Sequence, residues 1–206
     1  MISRILKNLR FPGSEEYWED RYRLGGNSGR GSYGQLAVFK ADIINSFLKE
    51  KKISSAIEFG CGDGNNLSLI SYPKYIGLDV SQTAIKLCMN KFKYETTKSF
   101  YIYNSLAFLD NHKLFQADLS LSLDVIYHLI EDDIFIKYMT HLFQASQKYV
   151  IIYSTDYPAK QRYHDKRRNF TQWISENQKS FNLIRQIENQ VEPLISEFFI
   201  YELTTA

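Results

Sequence analysis

Three glycines in five positions mark the stretch "IEFGCGDGNN", residues 57–66. Gly60, Gly62 and Gly64 follow a short apolar run, so the chain leaves a strand there and turns. Backbone without side chains lets a ligand approach closely, which nucleotide cofactors require. A dinucleotide fingerprint spaces its glycines as G-x-G-x-x-G. Here the third glycine comes one residue early and Asn65 stands in its place. A pyrophosphate needs a helix N-terminus and a close glycine, so this spacing speaks against NAD. Asp79, in "YIGLDVS", follows about twenty residues later at the end of a second apolar run. A carboxylate there can accept both hydroxyls of a ribose, a pairing that serves any adenosine cofactor. Its plainer role is to help cap the next helix. A second glycine-rich stretch, "GGNSGRGSYG" at 25–34, is not a Walker A loop, because Ser32 follows the glycine where a Lys should stand. It reads as a flexible loop that closes on a ligand as a lid.

Elements must position these groups. Ile53 to Phe59 reads as a buried strand leading into the glycines, and Tyr75 to Val80 as a second one carrying Asp79. Lys98 to Tyr103 alternates β-branched and aromatic residues as a third. "ADLSLSLDVIYHLI", 117–130, opens as a strand and then turns; Tyr149 to Ser154 is the continuous apolar run of an interior parallel strand. Phe181 to Ile187 and Glu197 to Leu203 are two late strands with a turn around Pro193. Helical patterns lie between: Gln35 to Lys52, a start within Asn65 to Ser71, and a segment capped by Ser81 running to about Lys91. "EDDIFIKYMTHLFQAS" is strongly amphipathic with acids at its start, and Thr171 to Asn177 is helical. Ser14 caps a further helix with Glu15 and Glu16 in its first turn. Ile2, Ile5, Leu6 and Leu9 share one helical face, either a short docked helix or a membrane-surface helix. Alternating strands and helices predict an open, mostly parallel α/β sheet of seven strands, with the last two as a C-terminal antiparallel hairpin.

Composition narrows the classes. A length of 206 residues fits one domain over 1–206, and 44% hydrophobic with 15% aromatic residues marks a globular chain. A formal net charge of +2 is too small to argue for nucleic acid. Cys61 and Cys88 belong to no CxxC pair or Cys/His cluster, which argues against a metal site and against a secreted disulfide scaffold. No apolar run suffices to span a bilayer, and the N-terminus lacks a signal-peptide pattern. The expectation is a reduced, cytoplasmic protein with no stable membrane insertion.

In this order, "EFGCGDGNN", "YIGLDVS" and "LSLDVIYHLIEDDIFIKYM" resemble the successive motifs of class I S-adenosylmethionine-dependent methyltransferases. The resemblance covers about residues 15–155 and, through the order of the late strands, reaches the C-terminus. It implies a doubly wound, Rossmann-like fold and S-adenosyl-L-methionine as cofactor. It implies that Glu58 orients the loop and meets the methionine amino end through a network. Gly60, Gly62 and Gly64, with Cys61 and Asn65, would pass beside the methionine moiety. Asp79, followed by Val80, would hold the ribose. Where the family places an acid after strand three to meet adenine, this chain offers Asn104 and Ser105; Asn104 can equally cap a turn. "EYWEDRYRLGG" resembles the segment that many small-molecule methyltransferases fold over the cofactor, so 1–34 reads as a cofactor-covering segment. It would bring Trp18, Tyr22 and Gly25 near the methionine end, although Trp18 and Tyr22 serve equally well as core aromatics.

Methyl transfer from a sulfonium is an in-line displacement, so the protein must align the nucleophile and often remove its proton. The loop after strand four offers His128 as general base, Tyr127 as a second catalytic candidate and Asp124 to line the cofactor's amino end. The plainer reading packs His128 in the sheet–helix seam with a backbone partner. No Asn/Asp-Pro-Pro-aromatic run follows strand four, and no basic stripe is evident, so nucleic acid is not the expected partner. "TDYPAKQRYHDKRRNFTQW" begins a substrate-side insertion at 155–175. Arg162, His164, Lys166, Arg167 and Arg168, with Tyr33 from the glycine-rich loop, are candidates to bind an anionic acceptor. A solvated basic loop is the alternative. "SYG" before a helix, together with "HDKRRNFTQW", resembles a group of small bacterial methyltransferases found among polysaccharide-assembly enzymes. That implies O-methylation of a sugar, sugar nucleotide or phosphate-bearing glycan precursor. The rival readings are a non-catalytic S-adenosylmethionine-binding partner protein and a methyltransferase for an N or S acceptor.

Overall fold

The apolar runs flanking the glycine stretch become the middle of a sheet. The computed structural model describes residues 11–192 and 196–204. The amphipathic segment at 2–10 and the turn around Pro193 lie outside the described residues. The strands are β1 (Ala56–Phe59), β2 (Tyr75–Asp79), β3 (Lys98–Ile102), β4 (Ala117–Leu123), β5 (Ser146–Ser154), β6 (Phe181–Ile187) and β7 (Glu197–Leu203). They form one sheet in the order β3-β2-β1-β4-β5-β7-β6. The first five pair in parallel, and β7 is antiparallel to both β5 and β6. The α/β class and the antiparallel C-terminal hairpin are as the sequence predicts.

Helices cover both faces. They are α1 (Ser14–Arg23), α2 (Gly34–Glu50), α3 (Gln82–Lys91), α4 (Asp132–Gln144) and α5 (Phe170–Asn177). Ile44 and Phe47 of α2 and Ile85 of α3 pack with Leu119, Leu121, Ile151 and Phe198 in one core. Met139 and Phe143 of α4 and Ile174 of α5 pack with Ile57, Val150, Ile152 and Phe199 in the other. Odd and even residues of β5 and β7 thus supply opposite layers, as the two-residue strand period requires. β4, "ADLSLSL", looks half-polar yet is buried throughout. Its serines make room for α4: the Tyr138 hydroxyl donates to the Phe59 carbonyl and accepts from Ser122 Oγ, both at 2.8 Å.

Two local expectations are corrected. No α-helix follows the glycines; a short 3₁₀ turn, Leu67–Leu69, stands there instead. Pro73 bars the helical conformation from the residue before it, and Asn45 of α2 holds the Leu69 carbonyl and the Ser71 amide at 3.0 and 2.9 Å. Ser14 is the first residue of α1 and not its cap. Its amide and hydroxyl both donate to the Glu131 carboxylate, at 3.0 and 2.6 Å, so α1 is capped from the start of α4. Ser81 does cap α3, accepting the Ala84 amide at 3.0 Å. Glu19 of α1 takes the Ser81 and Thr83 hydroxyls, each at 2.6 Å, and these bonds hold its carboxyl down at about 2. Both contacts fasten α1 over the carboxyl edge of the sheet.

Candidate active site

Register decides what meets at that edge. Phe59 pairs with Leu78, and Glu58 pairs with Leu121. One residue further on, Gly60 and Asp79 stand side by side, and Asp124 follows the end of β4. Gly60 and Gly62 take left-handed φ values of 86° and 57°. A Cβ on Gly60 would stand 2.5 Å from Val125 Cγ2; one on Gly62 would overlap Ser28 Oγ and lie 2.8 Å from the Tyr22 hydroxyl. Glycine is needed at both for conformation and for room. Gly62→Ala is expected to lower stability by about 2–5 kcal/mol, from the left-handed backbone and from overpacking. An unchanged urea midpoint in that variant would contradict this account of the loop.

The turn forms the floor of a cleft crossing the ends of β2, β1 and β4. Gly60, Cys61, Gly62, Asn65, Asp79 and Val80 line it, together with Ser105, Asp124, His128 and, from α1, Trp18 and Tyr22. The empty space between them, open mouth included, is about 940 Å³. Asp79 is buried in its wall and accepts the Gly62 and Ser81 amides, each at 2.8 Å. Burial pushes its carboxyl up to about 6.

The loop at 25–34 is seated on this floor. Ser28 and Asp63 exchange bonds, the Ser28 amide to Asp63 Oδ2 at 2.9 Å and the Asp63 amide to Ser28 Oγ at 3.0 Å. Tyr33 adds its hydroxyl to Asp63 Oδ2 at 2.8 Å.

His128 sits in a turn of 3₁₀ helix, Ile126–His128, after β4. Its Nδ1 lies 2.7 Å from the His164 carbonyl, so Nδ1 carries the proton and donates it. His164 stacks on the ring at 5.4 Å and Trp18 meets it edge-on at 5.0 Å. Burial among these rings pushes the imidazole down to about 4, so it is neutral at pH 7 with the Nε2 lone pair free.

Other candidates stand elsewhere. Glu58 does not line the cleft; it is buried and accepts the Tyr75 hydroxyl at 2.6 Å. Gly64 packs against Phe92 and Cys88. Gly25 is exposed and ends α1. Asn104 is exposed and holds the Leu106 amide at 2.9 Å, the turn-capping role. Tyr127 does not reach the cleft, because its hydroxyl donates to Asp124 Oδ1 at 2.9 Å from behind. The basic run is largely occupied. Arg168 donates to Asp132 and to the Leu129 and Ile130 carbonyls, and Lys166 joins it on Asp132. Arg167 pairs with Asp165 and Tyr157. Arg162 is exposed in a small hairpin with Asp165, beside the stacked His164. Attraction of Lys166 and Arg168 to Asp132 at the start of α4 thus folds the insertion down instead of freeing it for an anion.

Sequence reasoning passed over Lys40, which is fully buried with Nζ 2.7 Å from Asp124 Oδ2. Its signal was a lysine on the apolar stripe of α2, between Ala37, Ala41 and Ile44. It also passed over Asp63, inside the glycine motif, and Asn66, whose buried carbonyl in the cleft has no protein partner.

Burial raises Glu58 from the usual carboxylate range to about 7. The folded chain then holds a proton that the unfolded chain releases above about 4.5. Stability is therefore expected to fall by up to about 3 kcal/mol as pH rises from about 4.5 to 7, then to level. Glu58→Gln, which keeps an acceptor for Tyr75, should flatten the Tm-against-pH curve over that window; an unaltered slope would rule Glu58 out as its source.

No family model and no curated protein matches the sequence. Solved structures do match in shape. The methyltransferase domain of bacterial CtHen1-C superposes with a TM-score of 0.65 at 20% identity, over 82% of this chain and 98% of that one. Magnesium protoporphyrin IX methyltransferase (ChlM) from Synechocystis PCC 6803, with bound SAH, gives 0.68 at 14% identity, over 92% and 98%. N-methyltransferase NodS from Bradyrhizobium japonicum WM9 gives 0.64 at 14%, over 82% and 94%. Sheet order, the glycine turn at the carboxyl edge and these superpositions together assign the chain the Rossmann-like fold of class I S-adenosylmethionine-dependent methyltransferases.

Proposed function

We propose that the protein is an S-adenosyl-L-methionine-dependent methyltransferase. The observation that carries this reading is the cleft wall itself: a glycine floor between a buried Asp79 at one end and Asp124 at the other. The two acids stand two strands apart across the sheet edge, roughly 10 Å. That span suits a ligand with ribose hydroxyls at one end and an ammonium at the other, and the floor has no Cβ to hinder it. The residues present therefore fit the cofactor, which supplies an electrophilic methyl group. Asp79 is placed to accept the hydroxyls, and Asp124 the ammonium. Ser105 lines the cleft on the Asp79 side of the glycines.

The acceptor is proposed to be a small hydroxyl compound of sugar or glycan type, in surface-polysaccharide assembly. His128 would take the hydroxyl proton on Nε2 while its Nδ1–H stays bonded to the His164 carbonyl. Trp18, which lines the cleft, offers a face for a sugar ring, and Tyr163, 48% exposed, packs beside Tyr17, whose ring meets Trp18 edge-on. Exposed Arg162, beside His164, is available for an anionic group on that acceptor. Calorimetric titration with S-adenosylhomocysteine, with NAD as control, tests the cofactor. Binding of the first alone is expected; a folded chain that binds NAD, or neither compound, overturns the proposal.

A further inference from the structure

Lys40 is an unusual residue to find at zero exposure. A buried ammonium costs far more than a buried methylene unless it is paired. Its one ion-pair partner among the described residues is Asp124, at 2.7 Å, and its Nζ lies 5.2 Å from the centre of the Tyr153 ring. Asp124 is itself constrained. It is one of three non-glycine residues with positive φ among those described, at 59°. Tyr127 and Ser196 hydroxyls reach its Oδ1 at 2.9 and 3.4 Å, and the backbone of Gly31 presses so close that a Cβ there would stand 2.6 Å from Oδ2. With both oxygens held in this way, Asp124 still lines the cleft.

We infer that Lys40 is a positioning residue, which holds the Asp124 carboxylate aimed so that the amino-acid end of the cofactor is recognised separately from its nucleoside end. The inference rests on the cofactor reading above. It divides the cleft into two independent halves: Asp79 with Gly62 and Ser81 for the nucleoside, and Asp124 with Lys40 for the ammonium. Among the described residues the one hydrogen-bond partner of Lys40 Nζ is Asp124, and it makes no bond to Asp79 or to the glycine loop. Its removal should therefore leave nucleoside binding intact.

Two probes separate the halves. S-adenosylhomocysteine carries both ends, whereas 5′-methylthioadenosine carries the nucleoside and sulfur without the amino acid. In calorimetric titrations, Lys40→Met is expected to weaken S-adenosylhomocysteine by about tenfold or more, the effect of uncoupling a buried charge pair. Its affinity for 5′-methylthioadenosine should stay within about twofold of wild type, as for well-separated groups. If Lys40→Met fails to fold, Lys40→Met/Asp124→Asn, which leaves no unpaired buried charge, takes its place beside Asp124→Asn alone. The double variant should bind S-adenosylhomocysteine no more weakly than Asp124→Asn, because Lys40 acts through Asp124. Equal weakening of both probes, unchanged preference for S-adenosylhomocysteine, or a further loss in the double variant overturns the inference alone. Wild-type protein that binds neither probe overturns the cofactor reading, and this inference with it.

Discussion

Asp79→Ala is expected to reduce affinity for S-adenosylhomocysteine by about a hundredfold or more. Two charge-assisted bonds to ribose hydroxyls are at stake, each worth about 1.5–3 kcal/mol. The substitution also strips the acceptor from the Gly62 and Ser81 amides, which fix the floor and the start of α3. Circular dichroism on the variant separates lost recognition from lost fold. The wild-type pH dependence gives a second readout. Burial raises Asp79 to about 6, so the ionised form that accepts both hydroxyls is lost as pH falls through that value. Affinity should fall below about pH 6 and be level above about 7. Asp79→Asn should abolish that slope, since its amide cannot titrate. An affinity in Asp79→Ala within a few-fold of wild type would remove Asp79 from the site.

His128→Gln is expected to lower turnover by about 10²–10⁴-fold on whichever acceptor a panel of sugars and phosphorylated glycans identifies, while leaving S-adenosylhomocysteine affinity nearly unchanged. Gln is preferred to Ala because it still fills space between Trp18 and His164. The pH profile of the wild type is distinctive. With the imidazole driven down to about 4, it is unprotonated throughout the range above about pH 5. At saturating cofactor, kcat should therefore show no acid limb between pH 5 and 8. A limb near 6.5 would mean that an ordinary, exposed imidazole carries the proton. Full turnover in His128→Gln would make His128 a packing residue, which its stacking on His164 and its bond to that backbone also allow.

Strands were legible in the sequence where a run was continuous and apolar, because burial on both faces leaves no choice of residue type. β7 falls where the pattern puts it, β5 contains its apolar run but begins three residues earlier at Ser146, and β6 falls in place as an exposed edge strand. The glycine turn and Asp79 were legible because backbone conformation and strand ends impose residue types locally. What escaped reading depends on partners distant in the chain. Asn65 to Ser71 carries helical residues, but Pro73 and the reach of Asn45 decide otherwise. The serines of β4 look like a solvent face until Tyr138 arrives from α4. The basic run at 162–168 looks free until Asp132, more than thirty residues earlier, takes Arg168 and Lys166. Lys40 carries no local sign of its partner, only its place on a stripe where an ammonium needs one.

The sheet order also has a consequence for how the chain assembles during synthesis. β7 is an interior strand, seated between β5 and β6, and it fills both layers with Phe198 and Ile200 on one side and Phe199 and Tyr201 on the other. A nascent chain that has emerged only through β6 therefore leaves β5 with an open, apolar edge, and β6 has no neighbour to pair with. Such edges template association with other chains. β7 is the strand that closes this sheet, so β5 keeps an open edge until Leu203 has emerged.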